Sequence, residues 1–296
     1  MRCLSVGDAT TVSRSLLLRR MALLMVVVTV ASWPVVQKAA DQRTLWNQPF
    51  EPFRVVGNVY FVGTADLSSF LIVTPEGSFL LDGGLKESPP LIVQSIKKLG
   101  FRLEDVKYLL NSHAHYDHAG GLAELLRLSG ATMVVSDADA QPLRTGNRDV
   151  PGVNVGRTIA DGASLQLGNT RITAHVTPGH TRGCTTWSTI VAENGRDYRV
   201  VFHCGTRVVT RLIGNPLYPE MAADYEHTFR RLRDFEADVF LAEHPRFFDM
   251  ANKVRRMRAG EPNPFIDPTE MRRFVDRSER EFRAALATEQ AARPGS

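Results

Sequence analysis

The sequence predicts an α+β chain in which two β-sheets pack face to face with helices outside. Strand-like runs fall in two groups, separated by a Gly-, Pro-, Asn- and Asp-rich stretch over 141–163, and helical runs follow each group. No segment of 20–50 residues repeats, and no linker-like tract divides the chain after residue 39, so one domain is expected over 40–296. Apolar residues make up 43% of the chain and charged residues 23%, a balance that lets a chain of this length bury a large core without staples.

The elements follow in order. Val55–Val62 alternates apolar with small or polar residues and reads as a strand. Ser69–Val73 and Ser78–Leu81 are strands joined by a turn, Thr74-Pro-Glu-Gly77. Pro89–Leu99 places Leu91, Ile92, Ile96 and Leu99 at helical spacing and stops at Gly100. Val106–Leu110 is a short buried-type strand, Gly120-Gly121 opens a helix through Leu128, and Thr132–Val135 is a strand. Residues 141–163 read as loop. Ser164–Leu167, Arg171–Val176, Thr185–Val191 and Tyr198–His203 are strands. Ala222–Phe235 reads as helix, Val239–Leu241 as strand, and Phe248–Met257 and Glu270–Leu286 as helices.

Residues 1–39 differ from the rest. Arg14, Arg19 and Arg20 precede an apolar run from Met21 to Trp33, and Ala39-Ala40 follow, the layout of a secretory signal peptide. The run is short for a bilayer span, which takes about 20 apolar residues; the alternative is an uncleaved anchor. This segment carries Arg2, Arg14, Arg19, Arg20 and Lys38 against Asp8, which accounts for the whole formal charge of +4. The remainder is near neutral and shows no electrostatic footprint for nucleic acid. Export to the periplasm also bears on the cysteines. With Cys3 removed, Cys184 and Cys204 remain, either as one disulfide or as two buried thiols.

The densest chemical signal is Asn111-Ser-His-Ala-His-Tyr-Asp-His-Ala-Gly-Gly121. His113, His115, Asp117 and His118 lie in a strand-to-helix loop, where side chains converge on a cleft. In an extended stretch His113 and His115 point to the same side and can grip one ion, while Asp117 and His118 can present donors to a second. Packing is a poor explanation for such a cluster, because unpaired buried polar groups are costly.

This stretch is similar to the His-x-His-x-Asp-His signature of the metallo-β-lactamase superfamily. The resemblance implies an αββα four-layer sandwich with a zinc site at the edge of its two sheets. It extends to Thr177-Pro-Gly-His180-Thr and Ala242-Glu-His244-Pro, which resemble the positions of two later ligands. It thus implies His113, His115 and His180 on one Zn2+, and Asp117, His118 and His244 on a second. Asp82, in Phe79-Leu-Leu-Asp-Gly-Gly84, matches an acidic position that braces such a site, though an Asp before Gly83 is also good turn chemistry. His175, His203 and His227 match nothing, and the first two read as hydrogen-bonded packing residues of strands.

Several superfamily branches place a metal-bridging Asp after the strand that follows the His180 loop. Here Val201-Phe-His-Cys-Gly-Thr206 has none, and the chain resembles class B β-lactamases of subclass 3. Gly214-Asn-Pro-Leu-Tyr-Pro219 and Pro262-Asn-Pro-Phe-Ile-Asp-Pro268 resemble that subclass too. The implied activity is hydrolysis of the β-lactam amide by a metal-bound hydroxide, with Asp117 orienting it. The implied protein is a monomer acting on a small molecule, with no membrane association once the signal is cleaved. The alternatives are a lactonase, a glyoxalase II-like thioesterase or a non-catalytic zinc-binding protein. Where the subclass often has carboxylate-holding serines, this chain has Gly205, Thr206 and Arg207, and Arg207 offers a carboxylate fork instead. Cys184 and Cys204 fall at positions paired in some relatives, which implies the disulfide.

Overall fold

The computed structural model of the protein describes residues 42–292; the signal-like segment 1–39 lies outside them. β1 (Phe53–Val56) and β2 (Val59–Phe61) form a hairpin about Gly57-Asn58, where the sequence suggested one strand over 55–62. The turn is hidden in the pattern because Phe53, Val55, Val56, Val59 and Phe61 all enter the same core. β3 (Phe70–Thr74) and β4 (Gly77–Leu81) continue the sheet antiparallel. β5 (Val106–Leu110), β6 (Thr132–Ser136) and β7 (Arg157–Ile159) add to it in parallel, so the seven strands lie in chain order.

Parallel neighbours need crossovers. α1 (Pro89–Lys98) links β4 to β5, α2 (Tyr116–Ala119) and α3 (Leu122–Ser129) link β5 to β6, and α4 (Asp137–Thr145) leads toward β7. α1 starts on prolines, whose fixed φ suits a first turn, and ends on Lys97 and Lys98 beside its negative pole. α4 and β7 both lie wholly or partly in the stretch that read as loop.

The second sheet holds β8 (Ser164–Leu167), β9 (Thr170–Val176), β10 (Thr185–Glu193) and β11 (Arg196–His203), all antiparallel, with β12 (Val239–Ala242) parallel to β11. α5 (Met221–Leu232) crosses from β11 to β12, and α6 (Met250–Arg258) and α7 (Glu270–Ala291) follow.

Strand period two sets the layers. Leu71, Leu80, Leu109, Met133 and Val135 point outward onto Ile92, Ile96, Leu122, Leu125 and Leu143 of α1, α3 and α4. Phe70, Ile72, Phe79, Leu81, Leu110 and Val134 point inward, into the core shared with Ile172, Ala174 and Trp187 of the second sheet. On the far side, Phe282 of α7 stacks on Tyr225 of α5 at 5.1 Å, and Phe274 lies on Phe240 of β12 at 4.8 Å. The result is an αββα sandwich. Among the described residues no helix is long and apolar enough to cross a membrane.

Candidate metal centre

The site gathers where β5, β9, β11 and β12 end. After Leu110 the chain runs extended through His113 to His115, and the one-turn helix α2 then presents Asp117 and His118. Gly121 is required by close approach: a Cβ there would lie 2.2 Å from the Gly83 carbonyl oxygen. The loop after β4 is thereby held against α2, with the Gly83 N–H donating to the His118 carbonyl at 2.8 Å.

Asp82, at the end of that loop's strand, has a left-handed φ of 65° and is buried. Its carboxylate accepts from the Ser112 N–H at 2.6 Å, the Ser112 hydroxyl at 2.7 Å and the Asn111 amide at 2.9 Å, and lies 3.6 Å from His118 Nδ1. The Trp187 indole donates to the Asn111 carbonyl at 3.1 Å. The start of the His113 segment is therefore fixed by buried partners.

His180 lies in the loop after β9. Its Nδ1–H donates to the Arg207 carbonyl at 2.7 Å, an oxygen that also accepts from the Tyr225 hydroxyl at 2.8 Å. His244 follows β12, and its Nδ1–H donates to the Asp66 carbonyl at 2.6 Å. The Cys184–Cys204 disulfide, with Cα atoms 5.7 Å apart, ties the His180 loop to the end of β11.

Two triads result: His113, His115 and His180, and Asp117, His118 and His244. In each, the ligand atoms lie within 4.8 Å of one another. In the first, His180 Nε2 is 3.1 Å from His115 Nδ1 and 3.2 Å from His113 Nε2. In the second, Asp117 Oδ2 is 3.5 Å from the Nε2 atoms of both His118 and His244.

Hydrogen-bond accounting shows what the first triad fits. Arg207 fixes the His180 proton on Nδ1. The Ser112 hydroxyl spends its proton on Asp82, so it accepts from His113 Nδ1 at 3.0 Å. Both rings thus turn bare Nε2 lone pairs toward each other, an arrangement that repels unless a cation lies between. Tetrahedral donors about 2.0–2.1 Å from zinc sit about 3.3 Å apart, close to the spacing found here.

The electrostatics of His113, His115, His180 and His244 agree, while His118 stands apart. Burial, followed by the neighbouring imidazoles, holds His113 well below its usual pKa and pushes His180 to about 3. Burial also lowers His115, and burial with His118 and Arg246 pushes His244 to about 3. These rings are neutral donors at physiological pH. Burial opposes a charge on His118, but the carboxylates of Asp117, Asp82 and Glu243 override it and hold it up to about 9. Burial favours a protonated Asp117, but His118 and His244 outweigh it and keep the carboxylate below its usual range.

Other residues singled out in the sequence fall as follows. Thr206 is buried, with its hydroxyl 3.4 Å from His203 Nε2, whereas the Arg207 side chain is exposed. His175 bonds Ser188 at 2.8 Å and packs edge-on against Phe235, and His203 is buried against Phe274. Two further buried acids border the site. Asp139 of α4 accepts backbone N–H bonds from Ala114 and Gly183, joining the loops that carry the first triad; burial pushes it up to about 7. Glu243 precedes His244 and is equally buried. No local pattern marks Asp139, and Glu243 was signalled only by its neighbour.

The metallo-beta-lactamase superfamily pattern matches residues 63–244, more than half the chain and a span that contains all six donors. The chain belongs to the metallo-β-lactamase superfamily. Among superfamily structures it is similar to the native FEZ-1 metallo-β-lactamase of Legionella gormanii, with 38% identity and a TM-score of 0.80 over 82% of this chain and 98% of that one. It is equally similar to BJP-1, a subclass B3 metallo-β-lactamase of Bradyrhizobium japonicum, with 38% identity and a TM-score of 0.80 over 84% and 98%. Curated relatives match over shorter stretches. The human mitochondrial persulfide dioxygenase is 30% identical over 145 residues, 48% of this chain and 47% of that protein. The hydroxyacylglutathione hydrolase of Rhodospirillum rubrum is 33% identical over 78 residues, 26% of this chain and 27% of that protein. The chain thus spans half or less of the curated relatives it matches.

Proposed function

We propose that the protein is an exported β-lactamase that uses two zinc ions to hydrolyse the amide of β-lactam antibiotics. The observation that carries this reading is the donor set: five imidazoles and one carboxylate in two adjacent triads, with Cys204-Gly205-Thr206 and no carboxylate at the end of β11. The similarity to two metallo-β-lactamases over 82–84% of this chain, one of them described as subclass B3, supports it. Imidazole and carboxylate donors suit zinc.

Two zinc ions bound here would supply a water whose pKa falls from about 15.7 to about 7, and Lewis acidity toward a carbonyl oxygen. The chain's residues do the rest. His113 and His180 are locked in one tautomer by Ser112 and Arg207, so their donor atoms are preset. Asp117, kept ionised, orients the attacking water and can take its proton on the carboxylate. Arg207 is the exposed member of the Thr206–Arg207 pair and can meet the substrate carboxylate with its guanidinium fork. Arg207→Ala is expected to raise KM several-fold with kcat little changed; an unchanged KM refutes that role. The disulfide and the basic-then-apolar leader support a periplasmic location.

The deciding experiment assays a carbapenem, a cephalosporin, a homoserine lactone and a glutathione thioester in parallel, with and without chelator. Chelator-sensitive turnover of the β-lactams supports the proposal. Turnover confined to the lactone or thioester overturns it.

A further inference from the structure

The stretch 207–213, which leaves the end of β11, is held at both of its ends. At the near end the Arg207 carbonyl accepts from His180 Nδ1 at 2.7 Å and from the Tyr225 hydroxyl at 2.8 Å. Val209, Thr210 and Arg211 are then exposed, and the chain returns to the core at Leu212, which is fully buried. There the Glu289 carboxylate accepts the Leu212 N–H at 2.9 and 3.0 Å, one contact to each oxygen, and the Ile213 N–H at 2.9 Å. Glu289 comes from far along the chain, 77 positions after Leu212. It lies in the last turn of α7, a turn that holds no basic residue. The helix dipole is negative at that end and disfavours a carboxylate. Glu289 is thus poorly placed for the helix's own stability, and its side chain is spent on the loop.

Without that acceptor the two adjacent amides would turn to water, and the exposed arch between the anchors would lose its fixed far end. An unpinned loop loses conformational freedom when a ligand engages it, which weakens binding; a loop held in place beforehand does not. Arg207, whose guanidinium is the proposed fork for the substrate carboxylate, stands at the near anchor of this arch. We propose that Glu289 is a positioning residue for substrate binding, which holds the far end of the 207–213 loop so that Arg207 meets the substrate in one conformation. This rests on the β-lactamase reading and on the role given to Arg207. The metal donors do not depend on it, because His180 is anchored through the Arg207 carbonyl and the Cys184–Cys204 disulfide, both ahead of the Glu289 contact.

The test compares the wild type, Glu289→Ala, Arg207→Ala and the double variant, each supplied with zinc, on one cephalosporin. Glu289→Ala is expected to raise KM about three- to tenfold with kcat within about twofold, the scale of losing one hydrogen-bonded contact to the substrate. In the Arg207→Ala background the same change should leave KM within about twofold, because the group it positions is gone. A second measurement needs no turnover: hydrogen exchange of the Leu212 and Ile213 amides should be about tenfold faster in Glu289→Ala. Glu289→Gln keeps one acceptor oxygen and should fall between the two on both measures. Unchanged exchange, or an unchanged KM where the wild type turns over the cephalosporin, overturns this inference alone. A KM increase of the same size with and without Arg207, or one accompanied by weaker zinc binding, also overturns it and shows a general packing role. A wild type that hydrolyses no β-lactam overturns the proposed function and this inference together.

Discussion

At the scale of single residues, much of the centre rests on groups that donate nothing to a metal. Asp82 shows this best. It occupies a left-handed conformation that costs a non-glycine residue free energy, and in return accepts three hydrogen bonds that fix Asn111 and Ser112. Asp82→Ala is expected to weaken zinc binding by about ten- to hundredfold while the far-UV circular dichroism stays native; wild-type affinity would leave Asp82 a turn residue only. Replacing a donor is harsher. His115→Ala or Asp117→Ala should lower kcat by at least about a hundredfold, the lower range for losing a group that handles the proton or holds the cation. A wild-type kcat in either variant contradicts the assigned roles. The donors were legible in the sequence because four of them crowd into six positions. Their supports were not. The Asp66 and Arg207 carbonyls are backbone atoms, which every residue carries, and only the folded chain aims them at His244 and His180.

At the scale of elements, legibility followed the strength of the pattern. α1, β5 and α7 each have a clean apolar face, and their periodicity located them to within a few residues. α4 has Pro142 inside it, and its buried face is Asp139, Ala140 and Leu143. A proline and a buried acid look like loop, and the helix persists because that face packs on β6 and seats Asp139 against Ala114 and Gly183. β7 has three residues at a sheet edge, too few for a period to show. The start of α7 gives an element-scale prediction. Asp267 accepts the Thr269 N–H at 2.9 Å, the Thr269 hydroxyl at 2.6 Å and the Arg273 guanidinium at 2.6 Å. Burial raises its pKa, but these bonds outweigh burial and bring it from 3.8 down to about 2. A depressed carboxylate contributes stability that is present above about pH 4 and lost as pH falls through about 2. Asp267→Ala should therefore cost about 0.5–2 kcal/mol in urea unfolding at pH 7, with the lower part of that range favoured because the side chain is 33% exposed. The gap from wild type should narrow as pH drops from about 4 toward about 2. A gap that is constant with pH would mean that the charge of Asp267 is irrelevant.

At the scale of the whole molecule, the candidate metal centre joins the two sheets. His113, His115, Asp117 and His118 follow β5 of the first sheet, while His180 and His244 follow β9 and β12 of the second. Each triad therefore takes donors from both sides of the sandwich, and a cation in either would resist the separation of its halves. Metal bound only by the folded chain stabilises it by mass action, about 2.7 kcal/mol per site at a hundredfold excess over Kd. For a domain of this size, 1 kcal/mol moves Tm by about 2–4 °C. Each occupied site should then raise Tm by on the order of 5–10 °C, and a chelator should take that increment away. Because His180 and His244 come from the same sheet but serve different triads, His244→Ala should forfeit one increment and keep the other. A chelator that leaves Tm unchanged would mean that the sheets are held by their apolar faces alone and that the donors bind no metal in the folded protein. Loss of the full increment in His244→Ala would mean that the triads fill as one cooperative unit.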